Sequence, residues 1–442
     1  MEKQYEMTVR DIPSGLLTCL WNEKEIGIQE FSPKHVVLRF LEMQQANCEK
    51  LQFAYFALKD GAYKYCKVTQ FHMVAQREEK EYVLLTIEIE DAQFAAMVQF
   101  VITQYEKYIR LKMNSMDNTF SEELAGYPAN KDEIYAKDFA DWLDKRTAIV
   151  KKTDLAKLLQ RLSFELALPL ENREAYQAFL RKEWSKQHML GEVKRLYIGN
   201  AYCPLLFPQK EQLLAISEKA RQWKLQITIV LSYLRQSRIE ETKEQLQLLY
   251  DWCCDKKEKI EIVINDYGQI LLVQDKTDYF ILRFGTLLNK RRKDPRYRYK
   301  CGFETQKEKL MENSLQDDFF LHFLEKYQIS GIEYETCGYE MKISTLGAKG
   351  STLQLPLYQT NTSQFCPTYA LCTTGDRGAQ SEVKTCPGFC ERHVCLYPEH
   401  LSLIGRYTSV FAFDEWLMTH LDVLQTYKER GVTRILWNMW DR

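Results

Sequence analysis

Short apolar stretches recur throughout the chain, and their rhythm changes near residue 113 and again near residue 193. Before the first change, KLQFAYFAL, YKYCKVTQFHMVAQ and EYVLLTIEIE are rich in aromatic and β-branched residues and read as strands. KDGAY between the first two predicts a hairpin turn, because Asp-Gly tolerates the positive φ a tight turn needs. DAQFAAMVQFVITQYEKYI then shifts to a helical period and predicts a helix over 91–109. Residues 1–112 thus read as a small all-β barrel unit with a closing helix.

Residues 113–192 read as a helical connector. Thr153 precedes Leu155, Leu158, Leu159, Leu162 and Leu166, an apolar face with a capping residue in front, and Pro169 is expected to end that helix. ENREAYQAFLRKEWSKQH predicts a second, charge-laced helix.

From residue 193 to 442 the strands become short and nearly continuous in apolar character: RLYIGN, QITIVLS, IEIVIND, QILLVQ and YFILRFG. Amphipathic helices such as KEQLLAISEKARQWK and IEETKEQLQLLYDWCC intervene, and GIEYET, TLQLPLY, RYTSVFAF and TRILWN follow as further strands. Strands buried on both faces and alternating with helices predict a parallel sheet. The span suits an α/β fold of the (β/α)8 TIM-like barrel type, which takes about 250 residues. A doubly wound open sheet is the alternative, but NAYCPLLF stands where a Gly-rich phosphate loop would follow the first strand.

Composition narrows the function classes. Apolar residues make up 45% and charged residues 27%, as in ordinary globular domains. Sixty basic and 61 acidic residues leave a net charge of −1, so any contact with nucleic acid must come from a local patch. The first residues lack the apolar core of a secretory signal, and no stretch has the roughly 18 apolar residues of a spanning helix. Together with many cysteines, this predicts a cytoplasmic protein without membrane contact.

The 13 cysteines are an odd number, so they cannot all pair internally. Five of them (Cys366, Cys372, Cys386, Cys390 and Cys395) fall within 30 residues. Thiolates are soft ligands suited to zinc or iron–sulfur clusters, and CPGFC can loop tightly around a metal centre. The spacing matches neither a common zinc finger nor the ferredoxin run. Cys203 follows the first predicted barrel strand and is therefore expected on the same face as the cysteines after TLQLPLY.

LYIGNAYCPL, TIVLSYL, IEIVINDYGQILLV and LPLY followed by spaced cysteines resemble the collagenase-like U-family peptidases, nearest to members of the UbiU and UbiV type. The resemblance spans residues 193–442. It implies a TIM-like barrel holding a [4Fe–4S] cluster, with several members supporting oxygen-independent hydroxylation of RNA bases or quinone precursors. By this resemblance the ligands are Cys203, Cys366, Cys386 and Cys390. Cys372 competes with Cys366, because its gap to Cys386 is nearer the family spacing. The resemblance also implies a protein partner that completes the site. The N-terminal unit resembles a PilZ barrel (VRDIPSG, then EIGIQEFSPKHVVLRF), although only Arg10 is present of the arginines a cyclic di-GMP site needs.

Further candidates lie at predicted strand ends. Arg291 and Arg292, in LLNKRRKDPRYRYK, are placed to hold an anionic organic or RNA substrate. Asn265 and Asp266 end IEIVIND, and Asp266 is a candidate general base or, alternatively, a helix cap. Three functions remain: an iron–sulfur redox enzyme or hydroxylase component, a regulatory scaffold with a structural zinc, and a peptidase. The last lacks a GxSxG elbow or HExxH motif.

Overall fold

The computed structural model describes residues 8–12, 16–41, 48–57, 62–114, 133–181, 184–295, 297–299, 303–344, 350–375, 380–397 and 402–440. The expected KDGAY turn lies largely outside them.

The N-terminal strands are β1 (Val9–Arg10), β2 (Leu17–Trp21), β3 (Lys24–Phe31), β4 (His35–Phe40), β5 (Leu51–Ala57), β6 (Ala62–Val68), β7 (Phe71–Glu78) and β8 (Val83–Ile89). They form one antiparallel sheet in the order β6-β5-β2-β3-β4-β8-β7, with β1 beside β3. Among the described residues this ladder ends at β6 and β7, which do not pair, so the sheet is not closed by hydrogen bonds into the expected barrel. The helix Ala92–Asn114 places Phe94, Met97, Val98, Val101 and Ile102 in one apolar core with Phe53, Leu38 and Ile87 of the sheet.

The expected helical connector is only partly helical. Helices run over Glu133–Lys151, Leu155–Arg161 and Arg173–Leu180. Between the last two lies a strand, β9 (Glu165–Leu170), which contains Leu166 and Pro169. A short β10 (Gln187–His188) then leads into β11 (Gly191–Ile198). The remaining parallel strands are β12 (Gln226–Val230), β13 (Ile260–Ile264), β14 (Phe280–Phe284), β15 (Gly331–Glu335) and β16 (Ser351–Leu355). After β16 come β17 (Leu357–Thr362), β18 (Cys395–Leu396), β19 (Leu403–Arg406), β20 (Ser409–Phe413) and β21 (Val432–Trp437).

The order β9-β11-β12-β13-β14-β15-β16-β21 closes, because β9 pairs in parallel with both β11 and β21. This is a closed eight-stranded parallel barrel. Its first strand is β9, so the barrel begins before residue 193. Two other expected strands are placed differently. QILLVQ contains a helical turn, Ile270–Val273, and RYTSVFAF supplies β20 of a separate antiparallel sheet, β17-β20-β19-β18, inserted between β16 and β21.

The alternation of strand side chains separates two environments. Outward residues such as Leu196, Ile229, Ile262 and Ile435 share one core with Leu213, Ile216, Leu246 and Leu249 of the helices Lys210–Gln222 and Ile239–Lys256. Inward residues Ala167, Tyr197, Val230, Val263 and Leu436 form a separate small cluster. Below it, toward the strand starts, the barrel is filled by charge. Arg195, Arg283 and Arg434 face Glu165, Glu261 and Glu333, with Arg283 Nε on Glu333 at 2.6 Å and Arg434 Nε on Glu165 at 3.0 Å. Three guanidiniums against three carboxylates leave this layer neutral, as burial in low dielectric demands.

Candidate functional site

The C-terminal strand ends carry two neighbouring cavities. One, of about 570 Å³, is the barrel mouth, with Tyr197, Val230, Val263, Gln354 and Leu436 below and Tyr202, Phe411 and Trp440 around it. The other, of about 440 Å³, is lined by Cys203, Cys366, Cys386 and Cys390 together with Arg173, Arg235 and Tyr407. The two are joined by adjacent residues. Tyr202 lines the mouth and Cys203 the thiol cavity, while Tyr407 of the thiol cavity donates its hydroxyl to Glu171 of the mouth at 2.7 Å.

Local chemistry delivers each thiol. After β11 the chain turns at Gly199, whose φ is +112° and where a Cβ would lie 2.3 Å from the Val230 carbonyl, so a side chain does not fit. The Asn200 side chain then holds the turn, donating to Glu171 O at 3.1 Å and accepting from Tyr202 N–H at 2.8 Å. Cys203 follows, and the N–H groups of Leu205 and Leu206 face its sulfur. Cys366 caps the helix Pro367–Thr374: its sulfur accepts the Tyr369 N–H at 3.3 Å, and its S–H donates to the Tyr407 carbonyl at 3.3 Å. The Cys386 sulfur accepts the Gly388 N–H at 3.3 Å. Cys390 lies in the short helical turn Phe389–Glu391 and is buried.

These three sulfurs share a local signature. Cys203, Cys366 and Cys386 are each followed by proline, and no other cysteine of the chain is. Proline has no N–H and suits the first helical position, so the next free N–H groups point back at the preceding residue's side chain. The repeated Cys-Pro step was a sequence signal for the site, and it separates Cys366 from Cys372. Cys372 sits inside the helix Pro367–Thr374 and is not among the cavity lining residues. Cys395 is buried behind that helix against Leu371.

Burial pushes the Cys366 thiol up to about 12, with the Tyr369 N–H pulling the other way. It also raises Cys203 and, strongly, Cys390, where neighbouring thiols add to the effect and Arg406 opposes it. Burial thus favours the neutral thiol form of Cys203, Cys366 and Cys390. Among the described residues no group of three or more His, Cys, Asp or Glu is arranged to hold a metal ion. All four cysteines line the same cavity.

The other expected site residues are placed elsewhere. Asp266 caps the turn Tyr267–Gln269, accepting N–H groups of Gly268 at 2.8 Å and Leu234 at 3.2 Å. Asn265 borders the mouth, but its amide joins three strand ends, donating to Leu231 O at 2.8 Å and accepting from Leu287 N–H at 3.2 Å. Arg291 turns away from the mouth toward Cys337, and Arg292 is exposed. From this basic loop it is Lys293 that reaches inward, meeting Glu335 at 2.5 Å and Gln359 at 3.2 Å. Glu335 also accepts the Tyr202 hydroxyl at 3.1 Å. Arg296 and Lys300 lie outside the described residues.

Among the described residues no helix is long and apolar enough to cross a membrane. No family model matches the chain, and no curated protein matches it. A crystal structure of an uncharacterized Legionella protein is similar to 24% of this chain and 97% of its own, at 11% identity and a TM-score of 0.17.

Proposed function

We propose that Cys203, Cys366, Cys386 and Cys390 ligate a [4Fe–4S] cluster at the barrel mouth, and that the protein is a redox enzyme or hydroxylase component acting on an organic or RNA substrate in the adjoining cavity. The observation that carries this reading is that four thiols from two distant stretches of chain line one cavity. Four thiolate donors suit either an iron–sulfur cluster or zinc, and the resemblance of LYIGNAYCPL and the spaced cysteines to the iron–sulfur barrels favours the cluster. When bound, such a cluster supplies one-electron transfer.

The chain's own residues define the rest. N–H groups aimed at the sulfurs of Cys203, Cys366 and Cys386 stabilise thiolate charge. Tyr197, Tyr202, Phe411 and Trp440 offer ring surfaces to a planar substrate. Glu171 is the charged residue of that lining, and neither Arg291 nor Arg292 belongs to it, so an uncharged ring has more support than the anionic substrate expected from the basic loop.

The test is anaerobic purification followed by iron and acid-labile sulfide analysis. Iron and sulfide in about a four-to-four ratio per chain support the reading. Stoichiometric zinc without sulfide overturns it in favour of a structural metal site.

A further inference from the structure

Six arginines stand out at the two ends of this barrel, and they are treated in opposite ways. Arg195, Arg283 and Arg434, inside the barrel, each form ion pairs with glutamates. Arg173 and Arg235, which line the thiol cavity, and Arg406, beside the lining residue Tyr407, form none among the described residues. Their hydrogen bonds go to main-chain carbonyls of the cysteine segment and its approach. Arg173 Nη2 donates to Cys386 O at 2.7 Å, and Arg406 Nε donates to Cys390 O at 3.0 Å. Arg235 donates to Val383 O at 3.1 Å, to the Tyr233 hydroxyl at 3.1 Å and to Gln364 O.

Carboxylates of this region make other hydrogen bonds, and Glu391 touches one of the three arginines at its main chain. Glu391 accepts the main-chain N–H of Arg173 at 2.9 Å, Glu171 accepts the Tyr407 hydroxyl, and Glu382 accepts the Ser237 hydroxyl at 2.6 Å. Arg406 is the sharpest case. It is 5% exposed and packed among Trp440, Tyr407 and Phe139, with ring centroids 5.0, 5.1 and 5.6 Å from its guanidinium carbon. Ring faces attract a cation, but they do not neutralise it. Of the three, only Arg406 is buried, and a buried charge without a counter-charge is strongly unfavourable, so this guanidinium on the Cys390 carbonyl, together with the half-buried Arg173 and Arg235 that line the thiol cavity, favours an anionic occupant there.

We infer that Arg173, Arg235 and Arg406 are the built-in counter-charge of a thiolate-ligated centre, and that they set its reduction potential. The inference rests on the cluster reading above. Four thiolates around an iron–sulfur core leave the centre negative, and one-electron reduction adds a further negative charge without making or breaking a bond. A nearby positive charge stabilises the reduced form more than the oxidised form, so it raises the potential. The three arginines are positioning residues: Arg173 and Arg406 hold the Cys386 and Cys390 carbonyls, Arg235 holds those of Val383 and Gln364, and all three act on the centre through space.

The experiment is an anaerobic, dye-mediated redox titration with dithionite as reductant, followed optically, on the purified wild type and on Arg235→Gln, Arg235→Lys, Arg406→Gln and Arg406→Lys. Iron and sulfide content are measured on every sample. Arg235 is partly exposed, so its variants keep the test open if the buried Arg406 variants fail to fold. The expected result is a potential shifted negative in the glutamine variants and restored toward wild type in the lysine variants. Loss of the cluster in Arg235→Gln with retention in Arg235→Lys also supports the inference. Unchanged potentials at full iron content overturn the arginine role and leave the cluster reading standing. Equal loss of cluster from folded Gln and Lys variants overturns it too, because guanidinium geometry then matters and charge does not. A wild type without iron and sulfide overturns both.

Discussion

The Arg434 guanidinium donates two hydrogen bonds to the Glu261 carboxylate, at 2.7 and 3.0 Å, across the inside of the barrel and 173 residues of chain. Burial alone raises the Glu261 carboxyl, but Arg283, Arg434 and Arg195 outweigh it and hold the group down at about 2. Breaking one member of a buried charge network leaves the others uncompensated, at a cost of roughly 3–5 kcal/mol. Glu261→Gln is therefore expected to lose about that much stability in urea denaturation. Because the folded carboxyl titrates below its ordinary 4.5, its contribution is complete above pH 4.5 and disappears as the pH falls toward 2. The wild type should lose stability across that window more steeply than the variant.

The cysteine assignment predicts a pattern across variants. Cys203→Ser, Cys366→Ser, Cys386→Ser and Cys390→Ser are each expected to reduce bound iron and sulfide sharply in anaerobic preparations. Cys372→Ser, in the helix that Cys366 caps, is expected to retain them. Equal loss in Cys372→Ser would reassign the ligand.

Lys293 and Glu335 form a pair whose side chains are 7% and 3% exposed. Lys293→Met leaves Glu335 charged and buried, with a cost on the order of 3–5 kcal/mol. The double variant Lys293→Met/Glu335→Gln should recover much of that loss. A double-mutant cycle by chemical denaturation measures the coupling, and additive losses would mean that the pair does not interact.

Asp266 tests whether the strand-end carboxylate caps a turn or performs chemistry. Asp266→Ala removes a cap and is expected to lose about 1 kcal/mol, while Asp266→Asn keeps an acceptor oxygen and stays within about 0.5 kcal/mol of wild type. Thermal and chemical denaturation of both variants check this. A carboxylate needed for chemistry would instead make the Asn variant as defective in activity as the Ala variant.

Local pattern anticipated much of the fold. RLYIGN, QITIVLS, IEIVIND, YFILRFG, GIEYET and TRILWN are all barrel strands. Each carries at least one inward charged or polar position, and in five of them this includes Arg195, Glu261, Arg283, Glu333 or Arg434. Those charges were visible as interruptions of apolar runs, but nothing local said that they would meet. Glu165–Leu170 misled because its leucines continue the spacing of the preceding helix, and Pro169 reads as a helix stop. Closure of the barrel against β11 and β21 overrides both preferences.

The order of residues along the chain already determined the two types of strand, the Cys-Pro steps and the sulfurs able to accept the N–H groups behind them. These depend on neighbours within a few positions, where backbone geometry acts directly. The long-range relations required the closed barrel: β9 as its first strand, Cys203 beside cysteines more than 160 positions away, and Lys293, not Arg291 or Arg292, turned inward. The same closure separates the arginines that meet a glutamate from those left facing the thiols. Such contacts follow from the path of the chain around the barrel, and buried charges select their partners only after that path has brought them out of water.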